Sequence, residues 1–350
     1  MHERNNAVTT IDDVARFAKV SSSTVSRVIN NHSSVKKSTR DKVLRAIKDL
    51  NFVPNSFARG LVNNKSNIIG LVIPTILNPF FGELVASIEN TLYLHGFSVL
   101  LCDTAYDKNK QAMHIRNLIQ QQADGIVIVS HRDIDQSFMQ QSPKPPLLIS
   151  IQSRLTDCDI ITAELKNGML ASTEHLLKLG HRNISYICFD KTTDSSKIDG
   201  FISAFRKYGL PWSDEYISDL RDIGAESIDA RLDAEFDVGY SLTKKLLESS
   251  NPPTAIQAMN DYFALGAYRA IIERGFKIPD DISVCGFDNI GIAKLLSPPL
   301  TTVDQYVNEQ GKICGNLILQ RFANDTKIIH QRIELPTTLV VRSSTAAPSV

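Results

Sequence analysis

From Ile68 onward the chain alternates short apolar runs with stretches of helical periodicity, and this rhythm restricts the fold more than any other feature. "IIGLVIP" (68 to 74), "SVLLCDT", "GIVIVS", "LLISIQ" and "IITAE" read as strands, interleaved with helices over 80 to 95 and 108 to 122. The pattern repeats with a helix over 167 to 179, "ISYICF", a helix over 197 to 208, "YISDL", a helix over 235 to 249, "AIQAMN", a helix over 261 to 274 and "ISVCGFD". Strands separated by helices build parallel sheets covered on both faces, and two such runs predict two lobes of similar build. Ligands of such sheets bind beyond the carboxyl ends of the strands, so the cleft between the lobes is the expected small-molecule site.

The first 65 residues have another texture. They carry 12 Lys and Arg against 5 Asp and Glu, a charge of +7 that the rest of the chain balances with −7. A basic head that meets a polyanion and an acidic body that does not would account for this division. Thr10 can cap a first helix bearing Ile11, Val14, Ala15 and Ala18, with Asp12 and Asp13 where the helix dipole favours negative charge. "KVS" then turns the chain, and Ser21 caps a second helix over 22 to 30 with Val25, Val28 and Ile29 inward. A third helix, from about Ser38 to Leu50, buries Val43, Leu44, Ile47 and Leu50. The outer side of the second helix, in "SSSTVSR", suits a DNA major groove, where base edges and phosphates accept small hydroxyls and an arginine. The same stretch also fits an ordinary amphipathic helix with a solvated serine face.

Other classes find little support. The apolar runs are far shorter than the roughly 20 residues of a membrane span, and "MHERNNAVTT" lacks the apolar core of a signal peptide, so a cytoplasmic protein is expected. Five scattered cysteines without a CxxC pair read as free buried thiols. The histidines show no metal-ligand spacing, no P-loop, GxGxxG or GxSxG occurs, and "HRD" (131 to 133) has no Gly-rich phosphate loop upstream. No metal, cofactor or enzymatic activity is expected.

"TTIDDVARFAKVSSSTVSRVIN" followed by "STRDKVLRAIKDLNFVPNSFARGL" resembles the head of the LacI/GalR family of bacterial transcription regulators. The likeness continues in order through "IIGLVIPTILNPFFGEL", "ADGIVIVS", "HLLKLGHRNISYI", "PPTAIQAMNDYFALGAYRAI", "IPDDISVCGFDN", "PPLTTVDQ" and "LPTTLVVRSST". It implies a small all-α helix-turn-helix DNA-binding head (8–53) and a hinge helix (54–66), joined to a two-lobed α/β periplasmic-binding-protein-like body (67–342) with parallel sheets. The first lobe is expected over 67–163 plus 292–322, the second over 164–291 plus 323–342, and 343–350 as a loose tail. The resemblance points to Ser22, Ser23 and Arg27 as base readers. It places Thr10, Ile11, Thr24 and Ser26 at backbone or groove contacts, and Asn55, Ala58, Arg59 and Leu61 in the hinge. There Leu61 would wedge into the minor groove and Ala58 pack on its symmetry mate, which requires a homodimer on a near-palindromic operator. Asn55 can cap this helix, while Gly60 costs it roughly 1 kcal/mol.

For the body, the resemblance implies a sugar-like effector held by Asn78, Phe80, Phe81, Ser130, Gln152, Lys197, Asn260, Asp261, Asp288 and Gln305. Asn and Asp groups can each fix hydroxyls, and an aromatic face can cover a sugar ring. Asp261 could instead cap the helix it opens. The sequence departs from the family at Lys197, where most members have Arg, and at Gln152 and Glu164-Leu165 in place of a frequent Asp and Asp-Asn pair. An ammonium in place of a guanidinium fork leaves a sugar acid or phosphate open as effector. The expected activity is repression of carbohydrate transport or catabolic genes. Two alternatives are a global catabolite regulator whose phosphoprotein partner docks near 84 to 95, where only an amphipathic helix with Glu83 and Glu89 is visible, and a two-lobed solute-binding protein with a vestigial head.

Overall fold

The computed structural model describes residues 9–29, 32–52, 65–129, 145–152, 155, 157–192, 194–224, 234–323 and 329–349. The chain divides into two compact units, Met1–Ser66 and Asn67–Val350.

In the first unit, α1 (Ile11–Ala18), α2 (Ser22–Ile29) and α3 (Lys37–Asp49) enclose a core of Val14, Ala15, Val25, Val28, Val43 and Ala46. Thr10 and Asp13 form a reciprocal capping box at the start of α1, and Lys19 ends it in the left-handed conformation. Leu44, expected inside, is 50% exposed. The inward stripe of α3 runs instead through Val43, Ala46, Ile47 and Leu50, at i, i+3, i+4 and i+7, which turns Leu44 outward.

In the second unit, β1 (Ile68–Ile73), β2 (Ser98–Asp103), β3 (Gly125–Val129), β4 (Leu147–Ile151), β5 (Asp159–Ala163) and β11 (Arg332–Leu335) form a sheet in the order β11-β5-β4-β3-β1-β2. All its pairings are parallel. β6 (Ile184–Ile187), β7 (Ile217–Ser218), β8 (Ala255–Ala258) and β9 (Ser283–Cys285) form the second parallel sheet, β7-β6-β8-β9. Around them run α4 (Pro79–Tyr93), α5 (Lys108–Gln120), α6 (Leu165–Lys178), α7 (Ser195–Lys207), α8 (Ala234–Leu247), α9 (Asp261–Glu273) and α10 (Val307–Ala323). In both sheets the strand order reverses, between β1 and β3 and between β6 and β8. That is where the loops at the carboxyl ends part and leave room for a ligand. "YISDL" yields only the two-residue β7, followed by a 3-10 turn over Leu220–Ile223 that Asp219 caps.

The lobe boundaries differ from expectation at three places. Residues 292–304, expected in the first lobe, stay with the second: Ala293 and Leu300 lie in its core, Thr301 bridges to Cys285, and β10 (Thr302–Asp304) pairs with β12 (Thr338–Val340) while Asp304 bridges to Asp288. Arg332–Leu335, expected in the second lobe, is instead the edge strand beside β5, where its backbone completes the first sheet. The lobes are therefore joined by three crossings, near 164, 306 and 337. These lie side by side: Glu164 N–H donates to Leu335 O at 2.9 Å, Thr337 Oγ1 to Glu164 O at 3.3 Å, and the Tyr306 and Thr338 hydroxyls meet at 2.9 Å.

The tail is the third difference, for its residues up to Ser349 are seated. Ser344 is fully buried, accepting from Thr301 N–H at 2.8 Å and donating to Val284 O at 2.6 Å. The His181 ring, buried between Thr254 and Ser283 hydroxyls, also meets Ala346 O at 2.9 Å. The Ser344 hydroxyl and carbonyl thus answer the C=O and N–H of Val284 on the edge of β9, and the Ala346 backbone answers the Ser283 hydroxyl. All five cysteines are buried and free, and no helix among the described residues is long and apolar enough to cross a membrane. Ser344→Ala strands a buried N–H and a buried carbonyl, so urea unfolding should show a loss of about 1–3 kcal/mol; an unchanged midpoint would mean the tail carries no stability.

Candidate effector cleft and DNA-reading helix

The head presents α2 through its cap. Ser21 Oγ accepts from Thr24 N–H at 3.2 Å and meets the Ser23 and Thr24 hydroxyls at 2.8 and 2.9 Å. Val25 and Val28 lock the inner side, which leaves Ser23 and Arg27 exposed and Ser22, Thr24 and Ser26 half-buried. Ser22 is already engaged: its hydroxyl donates to Asp12 on α1 at 2.5 Å. A base contact by Ser22 must therefore replace or share that bond. Thr10 is exposed and committed to the capping box, and Ile11 packs on the head core. Asn55, Ala58, Arg59 and Leu61 lie outside the described residues.

In the body, a buried network joins the lobes. Asn78, at the carboxyl end of β1, caps α4 by accepting from Phe80 N–H at 3.0 Å, and its Nδ2 donates to Glu235 at 2.6 Å. Asn260, after β8, caps α9 in the same way, accepting from Phe263 N–H at 2.8 Å and donating to Glu235 at 2.8 Å. The Tyr106 hydroxyl, from the loop after β2, donates to the other Glu235 oxygen. One carboxylate thus gathers two donors from the first lobe and one from the second. Glu235 can stand there because α8 packs on α9 at backbone distance: a Cβ on Gly239 would lie 2.3 Å from Phe263 O.

A second chain of contacts runs from Gln152 Nε2 to Gln305 Oε1 at 2.8 Å, and from Gln305 Nε2 to Asp288 Oδ1 at 2.6 Å. Lys197 is buried, donates to Met259 O at 2.6 Å and lies 4.3 Å from the centre of the Phe287 ring. Burial drives the Asp194, Glu235 and Asp288 carboxyls above the ordinary carboxylate range, Asp288 furthest, with Lys197 opposing each shift. Tyr106, Gln152 and Asp288 have φ of 60°, 59° and 114°. Such left-handed backbone costs of order 1–3 kcal/mol at each position and tends to persist where function holds it.

Of the ten expected effector residues, Asn78, Gln152, Lys197, Asn260, Asp288 and Gln305 come together here, while Ser130 lies outside the described residues. Phe80 and Phe81 open α4 directly after Asn78 and are buried, ring against ring at 5.3 Å, in an apolar cluster that also holds Ile290 of the second lobe. Across the network the Tyr106 and Phe189 rings also meet, at 5.4 Å. Asp261 is a correction. It neither caps α9 nor faces the cleft, since its oxygens accept from Ile290 N–H and the Thr302 hydroxyl inside the second lobe. Tyr106, Asp194 and Glu235 escaped the sequence reading. Tyr106 follows the carboxyl end of a strand, the one signal that marks it, while an acid in the first turn of a helix reads as an ordinary complement to its dipole. No cluster able to hold a metal occurs among the described residues.

Comparison with known proteins gives the following likenesses. Residues 10–55 match the family of bacterial regulatory proteins described as the lacI family, and residues 173–345 the periplasmic binding protein-like domain. The HTH-type transcriptional regulator DegA of Bacillus subtilis is 38% identical over 345 residues, 97% of this chain and 98% of the relative. The lac repressor dimer bound to operator and the anti-inducer ONPF superposes with a TM-score of 0.81 at 27% identity, over 97% of this chain and all of that one. A LacI family transcriptional regulator from Enterococcus faecium with bound ribose gives a TM-score of 0.69 at 28% identity, over 81% of this chain and all of that one.

The carboxyl of Asp261 is pushed by burial from 3.8 up to about 7, against its bonds to Thr302 and Ile290. Between those values the folded chain retains a proton that the unfolded chain releases, so this group makes stability fall as pH rises to about 7 and level off above. Asp261→Asn is expected to flatten that slope in denaturant melts taken across the range.

Proposed function

The chain belongs to the LacI family of bacterial regulatory proteins, and we propose that it is a cytoplasmic transcriptional repressor, reading a near-palindromic operator as a homodimer under control of a small sugar-like effector. The observation that carries this reading is the Glu235 network, which couples both lobes of the body in a chain that also bears a helix with exposed Ser23 and Arg27. An effector entering such a cleft competes with protein groups for the same hydrogen bonds, so its binding and the angle between the lobes are one equilibrium. The sugar bound by the Enterococcus faecium regulator supports a hydroxyl-rich effector, and the expected targets are carbohydrate transport or catabolic genes. The known relatives act as regulators, and no enzymatic role is proposed.

In this reading residues 8–53 form the DNA-binding domain and 54–66 the hinge. Ser22, Ser23 and Arg27 read bases, and Thr10, Ile11, Thr24 and Ser26 hold backbone or groove. Asn55 caps the hinge helix, Arg59 contacts DNA, Leu61 wedges at the operator centre and Ala58 meets its symmetry mate. Asn78, Phe80, Phe81, Ser130, Gln152, Lys197, Asn260, Asp288 and Gln305 are the residues assigned to the effector. Effector binding biases whether two hinges can pair, and a coupling of about 3 kcal/mol corresponds to a change in operator affinity of roughly a hundredfold.

The test is to incubate the purified protein with fragmented genomic DNA of its source, and to recover and sequence what binds. One or a few enriched near-palindromes are expected, and no enrichment with or without sugars would remove the operator reading. On the enriched site, Arg27→Ala should cost about 1–3 kcal/mol and relax the preference at one base pair. Leu61→Gly should leave only weak, salt-sensitive binding; unchanged affinity would take the wedge out of the mechanism.

A further inference from the structure

We propose, resting on the reading of α2 as the base-reading helix, that Asp12 of α1 is a further specificity-determining residue. It turns the Ser22 hydroxyl inward, so that Ser22 meets the base edge as an acceptor and selects an exocyclic amino group, that of cytosine or adenine. The Ser22 hydroxyl donates to Asp12 Oδ1 at 2.5 Å. The two residues belong to different helices, and the core of Val14 and Ala15 against Val25 and Val28 brings them together. The neighbouring acid has other duties: Asp13 closes the capping box with Thr10 and pairs with Arg16 at 3.3 Å. Asp12 stands exposed beside the start of α2, an acid in a head whose first 65 residues carry 12 Lys and Arg against 5 Asp and Glu.

Direction sets this bond apart. A hydroxyl has one hydrogen and a carboxylate has none to give in return, so between Ser22 and Asp12 the hydrogen comes from Ser22. The other hydroxyls are not committed in this way. Ser21 meets those of Ser23 and Thr24 at 2.8 and 2.9 Å, and in each pair either oxygen can be the donor, so these contacts can reverse when a base approaches. For Ser22 to donate to a base instead, it must give up a charge-assisted hydrogen bond. That would leave the Asp12 carboxylate beside guanine N7 and O6 or thymine O4, acceptor against acceptor. Accepting from cytosine N4 or adenine N6 keeps the bond and meets a complementary edge, and a carboxylate also accepts from such amino groups. Arg27, exposed on α2, supplies the opposite polarity as a donor to guanine. The reading surface thus combines an acceptor position with a donor position, and the acceptor is made by residues of two helices.

Synthetic duplexes of the enriched operator, each lacking one group, test this with the full chain. Ser22→Ala identifies the base pair that Ser22 faces, as the one whose preference flattens. At that pair the exocyclic amino group is removed by pyrimidin-2-one in place of cytosine or purine in place of adenine, which should weaken wild-type binding about tenfold. Removing the purine N7 acceptor with a 7-deaza base should change binding by less than about twofold. Ser22→Ala controls for weakened base pairing, and in that variant the amino deletion should cost nothing further. In Asp12→Ala the freed hydroxyl can donate or accept, so the cost of the amino deletion should fall to about threefold or less, whatever the overall affinity. An Asp12→Ala protein that keeps the full dependence on the amino group overturns the proposal. So does a wild-type dependence on N7 in place of the amino group, or a Ser22→Ala protein with unaltered preference at every pair. These three results leave the operator reading standing. If no operator is enriched, that reading fails and the proposal falls with it.

Discussion

A single buried carboxylate, that of Glu235, holds donors from both halves of the body. Amide groups from two helix caps and a tyrosine hydroxyl converge on it, and each is placed by something rigid. Asn78 and Asn260 are fixed by the helices they open, and Tyr106 by a strained turn at the end of β2. Burying a charge is costly unless its lone pairs are answered. Here they are answered only while the lobes are together, so the carboxylate ties its own burial to the relation between the lobes. The apolar cores lie mainly under the sheets of each lobe, but they also meet across the cleft: Ile290 and Tyr262 of the second lobe join the first-lobe core, and Tyr106 of the first packs on the second.

Much of this architecture was legible in the sequence because it rests on local periodicity. Thr10 and the alternation after Ile68 marked most of their elements to within two residues, and "ISVCGFD" to within three, since apolar spacing and capping chemistry act over one turn of chain. The features that escaped depend on distant partners. "RSSTAAPSV" reads as a loose tail until β9 offers Ser344 a carbonyl and His181 reaches Ala346. Arg332–Leu335 reads as part of whichever lobe precedes it until its backbone finds β5. Asp261 was undecidable because a shift of one residue separates a cap from the first helical position, and Asn260 takes the cap.

The site followed the same division. Residues at strand ends were visible as a class, because the fold directs strand ends to the cleft. Their roles were not, because a role depends on which donor meets which acceptor. Phe80 and Phe81 pack on each other and on Ile290, and Lys197 spends one N–H on the Met259 carbonyl, contacts that spacing alone does not reveal.

The three crossings near 164, 306 and 337 lie side by side and are bonded to one another. Three parallel links restrain two bodies much as a spine restrains facing pages: swinging is soft, while sliding and twisting would stretch at least one link. Motion in the body then has in effect one coordinate. A substitution in the spine, far from any ligand, can reset the resting angle without touching a single recognition group. Sensitivity to an effector and selectivity among effectors are thereby separable in this chain, and lineages carrying the same fold can drift in one while conserving the other.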